Sequence, residues 1–116
     1  MSNQDSYSLT RYLASLVLLC MMTTTTHAGK PVFEIEIRNH LFYPSTLTIP
    51  SNTKVKLLIY NHDSTSEEFE SYELNREKVI MGNRKAVIFI GPLPAGEYPF
   101  FGEFYPKTAQ GKIIAE

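Results

Sequence analysis

From Val32 the chain alternates: Phe33, Ile35 and Ile37 are separated by Glu34 and Glu36, with Arg38 following. A period of two puts every second side chain on the same face, so this segment predicts a half-buried strand. The pattern returns at Thr46–Ile49 and at Lys54–Tyr60, where Val55, Leu57 and Ile59 share a face. Ala86–Ile90, Tyr98–Phe101 and Lys112–Ala115 read as further strands. Val79-Ile80-Met81 reads as extended too. Between these runs lie Pro50-Ser51-Asn52, Gly82-Asn83 and Pro92-Leu93-Pro94-Ala95-Gly96, residues that favour turns. Asn39 to Pro44 reads as a loop or a bend with an edge proline. Glu67 to Glu77 is the least strand-like stretch, and Glu73 to Lys78 reads as a helical turn. About seven or eight short strands, spaced roughly ten residues apart, predict an all-β antiparallel sandwich or barrel.

The first 28 residues read differently. Arg11 precedes an apolar stretch, Tyr12–Met22, and Thr26-His27-Ala28 puts tolerated residues before a cleavage point at Gly29. This arrangement predicts a cleaved export signal over 1–28 and a single periplasmic domain over 29–116. The apolar stretch is shorter than the roughly 20 residues a membrane-spanning helix needs, so no transmembrane segment is expected in the mature chain. Cys20 is the sole cysteine, and Val17-Leu18-Leu19 before it lacks the small residues of a lipidation site. Its removal with the signal leaves neither a disulfide nor a thiolate ligand. A formal net charge of −1 argues against a dedicated nucleic-acid binder.

Three motifs follow one another through the rest of the chain. Phe42-Tyr43-Pro44 leads to Leu47-Thr48-Ile49-Pro50. Val55-Lys56-Leu57 leads to Asn61-His62-Asp63. Gly91-Pro92-Leu93 continues through Pro94-Ala95-Gly96-Glu97-Tyr98-Pro99-Phe100-Phe101 to Gly111. In order and spacing this resembles the cupredoxins, and the resemblance implies a Greek-key β-sandwich. In a blue-copper member the ligands are two histidines, a cysteine and a methionine. Here the first histidine position falls at Glu67 or Glu68, the cysteine position at Gly102, the second histidine near Tyr105 and the methionine near Thr108–Gln110. Without a thiolate, type 1 copper electron transfer is not expected. Glu67-Glu68-Phe69-Glu70-Ser71 and Gly102-Glu103-Phe104-Tyr105 also resemble a cupredoxin-like subgroup associated with bacterial high-affinity iron uptake. That subgroup carries a histidine where Tyr105 stands.

The resemblance implies that the loops bearing His40, Glu67, Glu68 and Glu103 meet at one end of the sandwich. Carboxylates with one imidazole form a hard-to-borderline donor set, which suits Fe, Mn, Zn or Cu(II) better than Cu(I); the resemblance points to a copper or iron ion. His40, Glu67 or Glu68, and Glu103 are therefore the expected metal ligands. Glu70, Met81 and Tyr105 are weaker candidates, and His62 weaker still. Arg76, Lys78, Arg84 and Lys85 form a modest basic cluster. No nucleophile–base motif is present, so acid–base enzymology has no support. A ferroxidase-type role would need a redox metal that the sequence does not identify. The leading expectation is a periplasmic metal-binding accessory of iron uptake, with periplasmic or membrane uptake proteins as partners. The alternative is a cupredoxin-fold interaction module that binds no metal.

Overall fold

The computed structural model describes residues 29–116; the expected export signal and Cys20 lie outside them. Among the described residues nine strands form two sheets. The strands are β1 (Val32–Arg38), β2 (Leu41–Tyr43), β3 (Thr46–Ile49), β4 (Val55–Asn61), β5 (Glu67–Ser71), β6 (Arg76–Ile80), β7 (Lys85–Ile90), β8 (Gly96–Gly102) and β9 (Gln110–Ala115). One sheet has the order β2-β1-β4-β7 and the other β3-β9-β8-β5-β6. Among the described residues no helix is long and apolar enough to cross a membrane.

The inward faces follow the alternation. Ile35, Ile37, Val55, Leu57, Ile59, Ile88 and Ile90 project from one sheet and meet Ile49, Phe69, Phe100 and Ile113 from the other. Phe42, Phe69 and Phe100 form an aromatic knot, with Phe100 at 5.0 Å edge-on to Phe42 and at 4.9 Å to Phe69. Gly111 makes room for it, because a Cβ there would run into the Phe100 ring and the Ser45 carbonyl. Each fully buried side chain of this size contributes about 1.5–3 kcal/mol, and with no cysteine among residues 29–116 this packing has no covalent help.

Three expectations need correction. The sheets are mixed, since β1 pairs parallel with β4 and β3 parallel with β9. Successive strands change sheets in a Greek key, which brings some non-sequential neighbours together in the same direction. Asn39–Pro44 is not a plain loop. Arg38 pairs with Leu41 across a two-residue turn, and β2 returns along β1. Glu67–Glu77 is a β-hairpin rather than the least extended stretch, with β5 and β6 paired from Glu67↔Ile80 to Ser71↔Arg76. Burial alternates along β5, with Glu67, Phe69 and Ser71 inward and Glu68 and Glu70 partly exposed. A glutamate at an inward position hides that period from a hydropathy reading.

Candidate metal centre

Four connections gather at one end of the sandwich, and Asn61-His62-Asp63 binds three of them together. Asn61 is buried, and its Nδ2 donates to the carbonyls of Thr65 at 2.8 Å and Ile80 at 3.1 Å. Its Oδ1 accepts from the Asp63 amide at 3.0 Å. The Asp63 carboxylate accepts from the amides of Asn39 at 2.8 Å and His40 at 2.9 Å. Those two residues form the β1–β2 turn and are both left-handed, with φ of 50° and 62°. Paired positive φ values suit a two-residue hairpin turn, whose backbone twist matches that of the strands. Histidine in that region carries a cost that the surroundings must offset. Asp63 holds the turn, and the turn aims the imidazole.

The His40 ring stacks on Tyr105, with centroids 3.7 Å apart and planes 20° from parallel. Its Nδ1 lies 3.6 Å from the nearer Asp63 oxygen. With Nδ1 turned toward that carboxylate, Nε2 is the nitrogen available to a cation. His62 is engaged elsewhere. Its Nε2 lies 3.2 Å from Glu36, and with Arg38 it holds the Glu36 carboxyl below the usual carboxylate range.

Tyr105 belongs to the 102–109 connection, which closes on itself. The Gly102 amide donates to the Ala109 carbonyl at 2.8 Å, and the Ala109 amide donates to the Tyr105 carbonyl at 2.9 Å. Beneath the connection lies Glu67, 1 % exposed. Its Oε1 accepts from the amides of Glu68 at 2.8 Å and Phe104 at 2.9 Å. Its Oε2 is buried and has no hydrogen-bond partner among the described residues. A Cβ on Gly102 would come within 2.6 Å of that Oε2 and of Cδ, and within 2.8 Å of the Ala109 methyl. The carboxylate thus fills the volume that a side chain at 102, the expected cysteine position, would enter. Buried polar atoms are almost always satisfied, so an orphaned carboxylate oxygen at this place is a feature to be explained.

The expected ligands fall into two groups. Glu67 and His40 both reach the 102–109 connection, Glu67 by hydrogen bond and His40 by stacking. Glu68 and Glu70 lie on the other face of β5. There the carboxylate oxygens of Glu68, Glu70 and Glu77 lie within 4.8 Å of one another. Partial desolvation, followed by the charges of Glu77, Glu68 and Glu103, raises the Glu70 carboxyl above its usual range. Glu103 therefore belongs electrostatically to this outer group, and its amide donates to the Glu68 carbonyl at 2.9 Å. Met81 sits exposed at the rim, where its sulfur accepts from Ser66 Oγ at 3.6 Å. Two contributors were not anticipated as site residues. Asp63 was visible as part of a motif but without its role. Glu77 joins only because β5 and β6 place it opposite Glu70.

Comparison with known proteins agrees with this architecture. A family model described as a cupredoxin-like domain matches residues 11–115. An uncharacterised protein of Rickettsia prowazekii (strain Madrid E) is 46% identical over 105 residues, spanning 89% of this chain and 84% of its own. Two solved structures share the fold at low identity. The metal-binding domain of the Streptococcus pneumoniae Cu(I)-exporting P-type ATPase CopA superposes with a TM-score of 0.65 and 14% identity, over 79% of this chain and 91% of its own. Auracyanin A, a "blue" copper protein from Chloroflexus aurantiacus, gives 0.64 and 14%, over 76% of this chain and 100% of its own. With the sandwich, the motif order and a family model running through nearly the whole chain, this protein belongs to the cupredoxin-like domain family.

Proposed function

We propose that this protein is a periplasmic metal-binding accessory of iron, or copper-linked iron, uptake, and that it holds a borderline-to-hard cation at the end where the 39–40 turn meets the 102–109 connection. The observation that carries the reading is Glu67 Oε2, a carboxylate oxygen that is buried, unpartnered and beneath the connection. Leaving such an atom unsatisfied costs several kcal/mol unless a cation or proton compensates it, on the order of the desolvation penalty for a charged group. His40, carried on the turn that Asp63 holds through two backbone amides, supplies the second donor. The metal-binding domain of CopA, described with Cu(I), and auracyanin A, described as a "blue" copper protein, share this fold, which supports a metal role.

A type 1 copper centre does not fit these residues. Residues 29–116 contain no cysteine, and Glu67 fills the space a side chain at 102 would need. An oxygen and an imidazole nitrogen fit Cu(II) or Fe better than Cu(I). A bound cation would supply Lewis acidity and, where redox-active, an electron. The chain's own part is to hold Glu67 by two backbone amides, fix the imidazole through Asp63 and roof the site with Tyr105. Glu68, Glu70 and Glu103 would add negative potential nearby that favours cation approach. The export signal expected over 1–28 and the resemblance to the iron-uptake subgroup support the periplasmic placement and the uptake partners.

The alternative, a fold kept for protein contacts with no metal, draws on the same carboxylate. Glu67 Oε1 already ties the 102–109 connection to β5, so Glu67 can serve as a structural brace. Calorimetric titration of the purified protein with Cu(II) and with Fe separates the two. The metal reading expects saturable binding at about micromolar Kd or tighter, weakened at least roughly tenfold by Glu67→Gln and by His40→Ala and unchanged by Glu34→Ala, a loss of about 1.4 kcal/mol or more. No saturable binding, or equal binding by Glu67→Gln, would sink it in favour of the brace.

A further inference from the structure

β6 and β7 are the outer strands of their respective sheets, each paired on one side only. An open groove of about 820 Å³ lies between them. Lys78 and Val79 line it from β6 and Lys85 and Val87 from β7, with Met81 and Arg84 from the connection between them. No acidic residue lines this groove. Among the described residues Lys78, Arg84 and Lys85 form no ion pair with a carboxylate of this chain. Lys85 Nζ rests 5.8 Å over the Tyr60 ring, and Arg84 and Lys85 also line the neighbouring surface beside His62. Arg76 Nε donates to the Phe89 carbonyl at 3.0 Å, clasping the start of β6 to the end of β7. Val79, Met81 and Val87 are 46%, 60% and 37% exposed.

We propose that this groove binds an extended acidic segment of a partner protein, one in which carboxylates alternate with aliphatic side chains. Two observations select that occupant. The cations are unopposed by acids in the groove, so they complement a negative ligand. The apolar side chains beside them favour a ligand with aliphatic groups, which a polyphosphate lacks. An extended peptide supplies both, because successive side chains point to opposite sides and two edge strands flank its path. The inference stands without the metal site, although Ser66 places the groove's rim beside the start of β5, which carries Glu67.

The test is a titration of the isotope-labelled full chain, followed by amide NMR, with a dodecapeptide of alternating glutamate and valine. Alternating lysine–valine peptide, inorganic polyphosphate and phosphatidylglycerol vesicles are the comparisons. The expected result is saturable shifts confined to β6, β7 and the 81–84 connection, at a Kd of about a millimolar or tighter, with affinity falling in high salt. Arg84→Glu combined with Lys85→Glu should weaken the acidic peptide at least about tenfold. Lys78→Ala should weaken it less, and both variants should keep the native amide spectrum away from the groove. Shifts centred elsewhere, equal affinity after charge reversal, or equal binding of the lysine peptide would overturn the proposal. So would a tighter response to polyphosphate or to vesicles at the same residues, which would assign a general polyanion surface instead.

Discussion

Gly102→Ala is the substitution whose consequence can be worked most fully from the packing. The backbone at 102 is not in the left-handed region, so an added methyl imposes no backbone penalty and the effect is steric alone. That methyl would stand 2.6 Å from Glu67 Cδ and Oε2 and 2.8 Å from Ala109 Cβ. All three contacts are well inside ordinary van der Waals separation. A carboxylate at the end of a free side chain would swing away, but Glu67 is held by the amides of Glu68 and Phe104. Inserting one methyl into a filled core costs about 1–3 kcal/mol, and the tether puts this site toward the upper part. For a domain of this size each kcal/mol moves Tm by roughly 4–8 °C, so a fall of about 10–20 °C is expected. The origin is separable by a double-mutant cycle with Glu67→Ala. Glu67→Ala alone destabilises, because two backbone donors lose their acceptor. Gly102→Ala added to that background should cost about 1 kcal/mol or less, the remainder coming from the Ala109 methyl. The assay is urea unfolding followed by circular dichroism. A neutral Gly102→Ala, or an undiminished cost in the Glu67→Ala background, would refute the claim that the carboxylate occupies the space above residue 102.

Three further outcomes follow from the same geometry. At the left-handed position 40, His40→Gly should be more stable than His40→Ala by about 1 kcal/mol in denaturant melts, although both remove the imidazole, and the reverse order would contradict the turn. Asp63→Ala removes the acceptor of two turn amides and should cost about 2–4 kcal/mol, with loss of hydrogen-exchange protection at residues 39 and 40 as the local signature. Glu70 has a raised pKa in the fold, so its contribution is most favourable below its ordinary value of 4.5 and is lost as pH rises through the raised folded value. Glu70→Gln should accordingly raise Tm at neutral pH and converge with the parent below about pH 4, as the free carboxyl protonates. A constant difference across that range would assign the effect to something other than titration.

How far the sequence carried these conclusions varied by element. β1, β4 and β7 were legible because one face of each is aliphatic, so the period of two stood out from Phe33 to Ile37 and from Val55 to Ile59. The β5–β6 hairpin was not legible, because a charged residue occupies the inward position at Glu67 and its compensation comes from a segment 37 residues away. The Asn39–His40 turn was hidden for a related reason. Neither residue is glycine, and the carboxylate that holds them lies on Asp63 in another connection. Of the expected ligands, motif matching placed Glu67 and His40 on loops that meet. It treated Glu67 and Glu68 as interchangeable, whereas the pleat turns them to opposite faces. Glu103 is grouped with His40 by loop proximity, and its charge also acts on Glu70. The positional order of motifs therefore revealed the fold, while the direction of each side chain had to come from register.

The relation between Gly102 and Glu67 also bears on which sequences can be neighbours in evolution. A thiol-bearing residue at 102 meets the carboxylate while Glu67 is in place. Removing Glu67 first strands the amides of Glu68 and Phe104. Each order of substitution passes through a destabilised intermediate, so the two positions are epistatic and exchanging the carboxylate at 67 for a thiol at 102 costs stability whichever change comes first. A lineage that has placed the carboxylate here is held to it by its own packing, with or without a bound cation.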